Sequence, residues 1–74
     1  MRKNEITIRA TDHRNAHEAL QHLDVSGDDQ AILVGNKYLT LKQAEAERIA
    51  AAGVAFAYLV DHHGKIMTIP VNDR

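Results

Sequence analysis

The segment from Val54 to Val60 is apolar or aromatic at every position. Successive side chains of a strand point to opposite faces, so this segment has two apolar faces, which is typical of a central strand. A second apolar segment, Lys65 to Val71, follows Asp61-His62-His63-Gly64. This order predicts a hairpin with Gly64 in the left-handed conformation of a bulged turn. Pro70 cannot donate a ladder hydrogen bond, so we expect the last strand at a sheet edge.

The first half of the chain predicts a strand, a helix and a tight hairpin. Residues 5–10 alternate polar with apolar side chains, which is typical of a half-buried strand. Thr11 or Asp12 can then cap a helix whose core stripe has helical spacing. The stripe consists of Ala16, Ala19, Leu20 and Leu23. Gly35-Asn36 separates two short apolar segments, residues 31–34 and 37–39, and favours a type II′ turn.

A second helix is predicted from Leu41 to Ala52. Thr40 and Gln43 have the spacing of a capping box, in which each side chain serves the other residue's backbone amide. Gly53 can adopt the left-handed conformation required just past a helix end.

These elements predict one α+β domain spanning residues 1–74. The order is β-α-β-β-α-β-β, which suits a single antiparallel or mixed sheet of about five strands. We expect the two helices on one face of this sheet, as in the split βαβ plan.

Composition narrows the classes of function. The chain contains no cysteine, which excludes disulfides and thiolate zinc sites and favours a soluble, cytoplasmic protein. Nine basic and ten acidic residues give a formal charge of -1, so we expect no nucleic-acid partner. No apolar segment approaches the roughly 20 residues of a membrane-spanning helix, and no cofactor is expected.

The histidines offer the clearest chemical hypothesis. His13 and His17 stand four residues apart, a spacing that can direct two imidazoles of a helix to one metal ion. Completing a site would require Glu18, His62 or His63, because His22 is predicted on the opposite flank of the helix. We nevertheless interpret these histidines as ordinary helix and turn residues.

Catalytic and phosphate-binding motifs are not predicted. Ser26 is the only serine, and no glycine-flanked elbow surrounds it. The glycines are explained by turns and helix ends, and they form no glycine-rich run. We therefore expect no enzyme activity.

Two resemblances favour a DNA-binding alternative. The segment Lys37-Tyr38-Leu39-Thr40-Leu41-Lys42-Gln43-Ala44 resembles the opening of excisionase-type helix-turn-helix domains, but strand-like residues 54–58 occupy the place of their recognition helix. The order strand, helix, hairpin, helix is similar to that of prevent-host-death antitoxins, which implies a dimeric DNA-binding regulator. That family covers its toxin with a C-terminal tail, where this chain has a predicted hairpin.

The interpretation that we favour is a small, non-catalytic interaction module. Two helices on one face would leave an apolar sheet face in water, which monomers rarely do. The sequence therefore predicts a homodimer, with another protein as the alternative partner. The predicted interface residues are Phe56, Tyr58, Leu59, Met67 and Ile69.

Overall fold

The computed structural model describes residues 8–24 and 27–72. Its elements in chain order are β1 (Thr11–His13), α1 (Ala16–Gln21), β2 (Asp29–Val34), β3 (Lys37–Lys42), α2 (Gln43–Ala51), β4 (Phe56–His62) and β5 (Lys65–Val71). The five strands form one antiparallel sheet with the order β1-β3-β2-β4-β5. The predicted α+β class and the predicted number of strands are confirmed.

The two helices pack on opposite faces of the sheet, so the prediction that both lie on one face is wrong. Neighbouring residues of β2 show this directly. Ala31 is buried beside Ala19 of α1, whereas Ile32 is buried beside Ala46 and Ile49 of α2. Because successive side chains of a strand point to opposite faces, we name these the α1 face and the α2 face.

Strand order explains why the helices separate. β1 and β2 both pair antiparallel with β3, and β3 and β4 both pair antiparallel with β2. Each helix therefore connects two parallel strands that flank a third strand. The connection from β1 to β2 and the connection from β3 to β4 both move two positions in the same direction across the sheet. The pair β1 and β2, however, runs antiparallel to the pair β3 and β4. Two right-handed crossovers of this kind must place their helices on opposite faces.

Each face has its own core. The core on the α2 face consists of Ile32, Leu41, Ala46, Ile49 and Phe56, with partly buried apolar residues around it. The smaller core on the α1 face consists of Ala19, Ala31 and Leu59, flanked by Leu20, Leu23, Leu33 and Tyr38. The alanines allow α1 to approach the sheet closely. Both apolar faces of the sheet centre are thus covered within one chain.

The chain enters α1 later than the sequence predicted. Residues 5–7 of the predicted first strand lie outside the described residues, and β1 begins only at Thr11. The N-cap of α1 is Asn15, whose side chain accepts a hydrogen bond of 2.8 Å from the Glu18 backbone N–H. Thr11 and Asp12, the predicted caps, pair with β3 instead. His13 consequently belongs to a strand and not to the helix.

The predicted cap of α2 is also wrong, although its end is predicted correctly. Thr40 lies inside β3, where it is paired with both Thr11 and Ala31, so its hydroxyl cannot serve a helix. The N-cap is Lys42, which makes no side-chain capping bond. At the other end, Gly53 has a φ of 81° and its N–H donates to the Ala50 carbonyl at 3.0 Å.

Both predicted hairpins form. Gly35, with a φ of 61°, occupies the first position of the two-residue turn between Val34 and Lys37, as predicted. The second hairpin is tighter than predicted, because β4 and β5 remain paired up to His62 and Lys65. Its turn is His63-Gly64, with φ values of 53° and 81°, which is the type I′ geometry. Pro70 lies in the edge strand β5, as predicted.

We predict that Gly53→Ala lowers the free energy of unfolding by about 1 to 2 kcal/mol, because a Cβ disfavours the left-handed conformation. Gly53→Asn should cost less, since asparagine tolerates this conformation, and Gly53→Val should cost more. Urea denaturation measures the three values. Equal denaturation midpoints for all three variants and the parent would contradict the role of Gly53.

Candidate functional site

The outer half of the β4–β5 hairpin projects beyond the rest of the sheet. β2 pairs with β4 only through Ile32–Tyr58 and Leu33–Ala57, whereas β4 and β5 are paired along their whole lengths. The last three residues of β4 are exposed, as are all residues of β5 except Val71. This half of the hairpin is therefore an exposed two-stranded ribbon. On its α1 face, Asp61 and Ile66 border a cavity of about 180 Å³ that His17 and Leu20 of α1 also line.

The ribbon carries all the large exposed apolar side chains among the described residues. Their exposed fractions are 36% for Val60, 40% for Ile66, 50% for Met67 and 51% for Ile69. Val60 is paired with Met67, and Tyr58 with Ile69, so these side chains lie together on the α2 face. We call Val60, Met67 and Ile69 the apolar strip. Helix α2 packs mainly over β2 and β3 and leaves the strip uncovered.

The structure separates the predicted interface residues into three groups by their exposure. Phe56 and Leu59 are buried in the cores of opposite faces, with exposed fractions of 5% and 4%. They hold the sheet to its helices and offer little surface to a partner. Tyr58 is half-buried, and its ring meets the Phe56 ring edge-on at 5.3 Å. Met67 and Ile69 are exposed and adjacent to one another on the strip.

The outer edge of β5 has no neighbouring strand in the described part of the chain. Edge strands in natural proteins are protected from pairing by charges, prolines, bulges or short length. β5 has seven residues, and its only charged side chain is Lys65, at its beginning. Pro70 lies near its end. The four residues 66–69, Ile-Met-Thr-Ile, therefore form an unprotected edge.

A second cluster of polar side chains lies at the other edge of the sheet. The Nε2 atom of His13 is 2.9 Å from the Thr40 Oγ1 atom, and its Nδ1 atom is 3.8 Å from the Glu18 Oε1 atom. Hydroxyl, imidazole and carboxylate thus stand in the order that nucleophilic catalysis uses. Sequence reasoning missed this cluster because it assigned Thr40 to a cap and His13 to a helix.

The surroundings of this cluster favour a stabilising role. The His13 side chain is only 3% exposed and Thr40 only 9%, so their hydrogen bond is sheltered from water. Glu18 accepts a hydrogen bond of 3.0 Å from the Arg14 backbone N–H, and this bond is the main reason that the pKa of Glu18 is lowered. His13 thus shares a hydrogen bond with the Thr40 hydroxyl through Nε2 and has the Glu18 carboxylate beside its other ring nitrogen.

Thr40 also borders a cavity of about 290 Å³, together with Arg9, Thr11 and Lys42. The Lys42 ammonium is already paired: its Nζ atom is 2.9 Å from the Asp29 Oδ1 atom. This hydrogen bond and the charge of Asp29 raise the pKa of Lys42. The Lys42 ammonium is therefore engaged in an ion pair within the chain, which links the first residue of β2 to the last residue of β3.

The metal-site hypothesis placed His13 and His17 on one helix, but His13 lies in β1 and His17 lies in α1. The His13 ring instead contacts that of His22 at 4.7 Å between ring centroids, with the two ring planes tilted by 36°, although His22 was predicted on the far flank. The exposed His17 bonds to Gln21 within α1. His62 and His63 contact each other at the hairpin turn, at 4.4 Å between ring centroids. Residues 8–24 and 27–72 contain no group of three His, Asp or Glu side chains that could hold a metal ion.

We predict that Thr40→Val destabilises the protein by about 1 to 3 kcal/mol, because it leaves a buried His13 ring nitrogen without its partner. Thr40→Ser retains the hydroxyl and should cost less than Thr40→Val. Urea denaturation of both variants tests this hydrogen bond. Equal losses of stability would show that the methyl group, and not the hydroxyl, matters at this position.

Adding zinc to the protein should leave its melting temperature unchanged, because the described residues contain no group of three possible metal ligands and a ligand stabilises only the state that binds it. Thermal unfolding with and without zinc, in the parent protein and in His17→Ala, provides the measurement. A zinc-dependent increase that His17→Ala abolishes would contradict this expectation.

Two further findings bear on the class of protein. In the described residues no helix is long and apolar enough to cross a membrane. Comparison with protein-family models, with curated proteins and with solved structures gave no match.

Proposed function

We propose that this protein is a small, non-catalytic interaction module that associates with itself as a homodimer through the β4–β5 hairpin. One observation carries the proposal: an unprotected strand edge and an apolar strip occur together on a ribbon whose α2 face helix α2 leaves uncovered. Exposed apolar patches of this kind mark interaction sites in soluble proteins. Both features belong to the same hairpin, so a contact at the strand edge also brings the apolar strips of two copies side by side.

A second copy of the chain is the occupant that the hairpin fits best. A surface that meets itself across a two-fold axis needs no other partner, and such dimers are the commonest oligomers. The ribbon is well suited to this because Lys65 is the only charge on β5. In an antiparallel arrangement the two Lys65 side chains lie at opposite ends of the contact, so they do not repel each other closely. A 74-residue chain has only small cores, so the added contacts with a second copy would stabilise it.

The non-catalytic part of the proposal is supported by the burial of the His13–Thr40 pair. An imidazole with 3% exposure and a hydroxyl within a strand suit a cross-strand hydrogen bond better than attack on a substrate. DNA binding has less support, because the segment resembling a helix-turn-helix opening forms the strand β3. The absence of cysteine supports the cytoplasm as the place where the module acts.

Light scattering at micromolar concentration should give a mass about twice the 8.2 kDa of one chain. Met67→Glu places a charge in the apolar strip and should shift the protein to the monomer mass. Ala10→Glu, at an exposed position just before β1 at the opposite edge of the sheet, is the matched control and should leave the dimer intact. A parent protein of 8.2 kDa at all concentrations would refute self-association and leave a strand of another protein as the alternative occupant of the edge.

A further inference from the structure

The hairpin turn determines which backbone groups of β5 face outward. In a two-residue hairpin the closing pair, here His62 and Lys65, exchanges both hydrogen bonds. Hydrogen-bonded and non-hydrogen-bonded pairs then alternate along the ladder. Residues 65, 67, 69 and 71 direct their backbone groups toward β4, and Ile66, Thr68 and Pro70 direct theirs to the free edge. Pro70 lacks an N–H, so only Ile66 and Thr68 offer both a donor and an acceptor.

This pattern limits how two β5 strands can pair around a two-fold axis. If the axis passes through Thr68, Ile66 of each copy faces Pro70 of the other copy. Because Pro70 has no N–H, the Ile66 carbonyls then lack donors, and the proline ring lies against the facing strand. An axis at Ile66 would oppose Thr68 to Gly64, whose N–H already donates to the Asp61 side chain at 3.0 Å. An axis at Met67 opposes Ile66 to Thr68 on both sides, so that all four outward donors and all four outward acceptors of these residues are paired.

We infer that two copies join edge to edge through antiparallel β5 strands, with the two-fold axis at Met67 and one continuous ten-stranded sheet. The inference rests on the proposed self-association and specifies its geometry. Pro70 then faces Gly64 of the second copy, just beyond the end of the paired strands. Gly64 has no side chain to clash with the proline ring, and its N–H is already bonded to Asp61, so it does not need a partner in the facing strand.

The side chains agree with this register. Met67 faces Met67 of the second copy in a non-hydrogen-bonded pair, where Cα atoms are about 4.5 Å apart and side chains are closest. Because Val60 lies beside Met67 in each copy, the two apolar strips join into a continuous row on the α2 face. Ile69 faces Lys65 of the second copy, and no two like charges stand opposite each other. On the α1 face, Ile66 faces Thr68.

Single-cysteine variants test this register directly, because the chain has no cysteine of its own. A disulfide requires Cα atoms roughly 4.4 to 6.8 Å apart. Met67→Cys should therefore shift from the monomer band to a disulfide-linked dimer band on mild oxidation. Ile66→Cys, Thr68→Cys and Ile69→Cys should stay monomeric on the same denaturing gel, since their equivalents lie too far apart.

A mixed sample provides a second test that leaves Met67 in place. Lys65→Cys and Ile69→Cys should not cross-link separately but should cross-link when mixed, because these positions face each other across the axis. Cross-linking of Ile66→Cys or Thr68→Cys alone would move the axis and overturn the register, as would a dimeric parent protein with no cross-link at Met67 or in the mixed sample. A monomeric parent protein would instead refute the self-association itself.

Discussion

The structure depends on β2, which is buried on both of its faces. Ala31 is 1% exposed and Ile32 is completely buried, although they are neighbours in the chain. A strand with this burial requires a layer on each side, and the chain has one helix for each. With both helices committed to the sheet centre, β4 and β5 extend past the region that the helices cover. The exposed ribbon thus follows from how the cores are arranged.

The inner end of the hairpin is anchored and its outer end is not. Phe56 lies in the core of the α2 face, and Val71, its partner in β5, packs against the same core. Beyond Val71, the Asn72 side chain donates hydrogen bonds of 2.9 Å to the Ala50 carbonyl and 3.2 Å to the Val54 carbonyl. These contacts fix the direction in which the ribbon leaves the sheet, so that a dimer would receive a preorganised edge.

Local sequence patterns predicted the turns, the element order and the end of α2, because each depends on a few adjacent residues. The positions of the helices depend on strand order, which no local pattern shows. Had β4 paired on the other side of the sheet, both helices would have shared a face. Thr40 illustrates the same limit. Its spacing to Gln43 fits a capping box, but Thr40 lies in β3 and pairs with both β1 and β2 instead of capping α2. The sequence analysis did not use Asn15 and Glu18, although their spacing is that of an N-cap residue and the third residue of a helix.

The two edges of the sheet differ in a way that favours an assembly of limited size. β1 has three residues, and the helix α1 follows it closely, so this edge offers little to a further strand. β5 is the longer edge, but an antiparallel contact between two β5 strands uses that edge in both copies. Pro70 adds to this control, because it disfavours registers in which the strands slide toward their carboxyl ends. With one pairing edge and one short edge, the proposed β5–β5 contact would close at two subunits, whereas two equally open edges would allow continued growth.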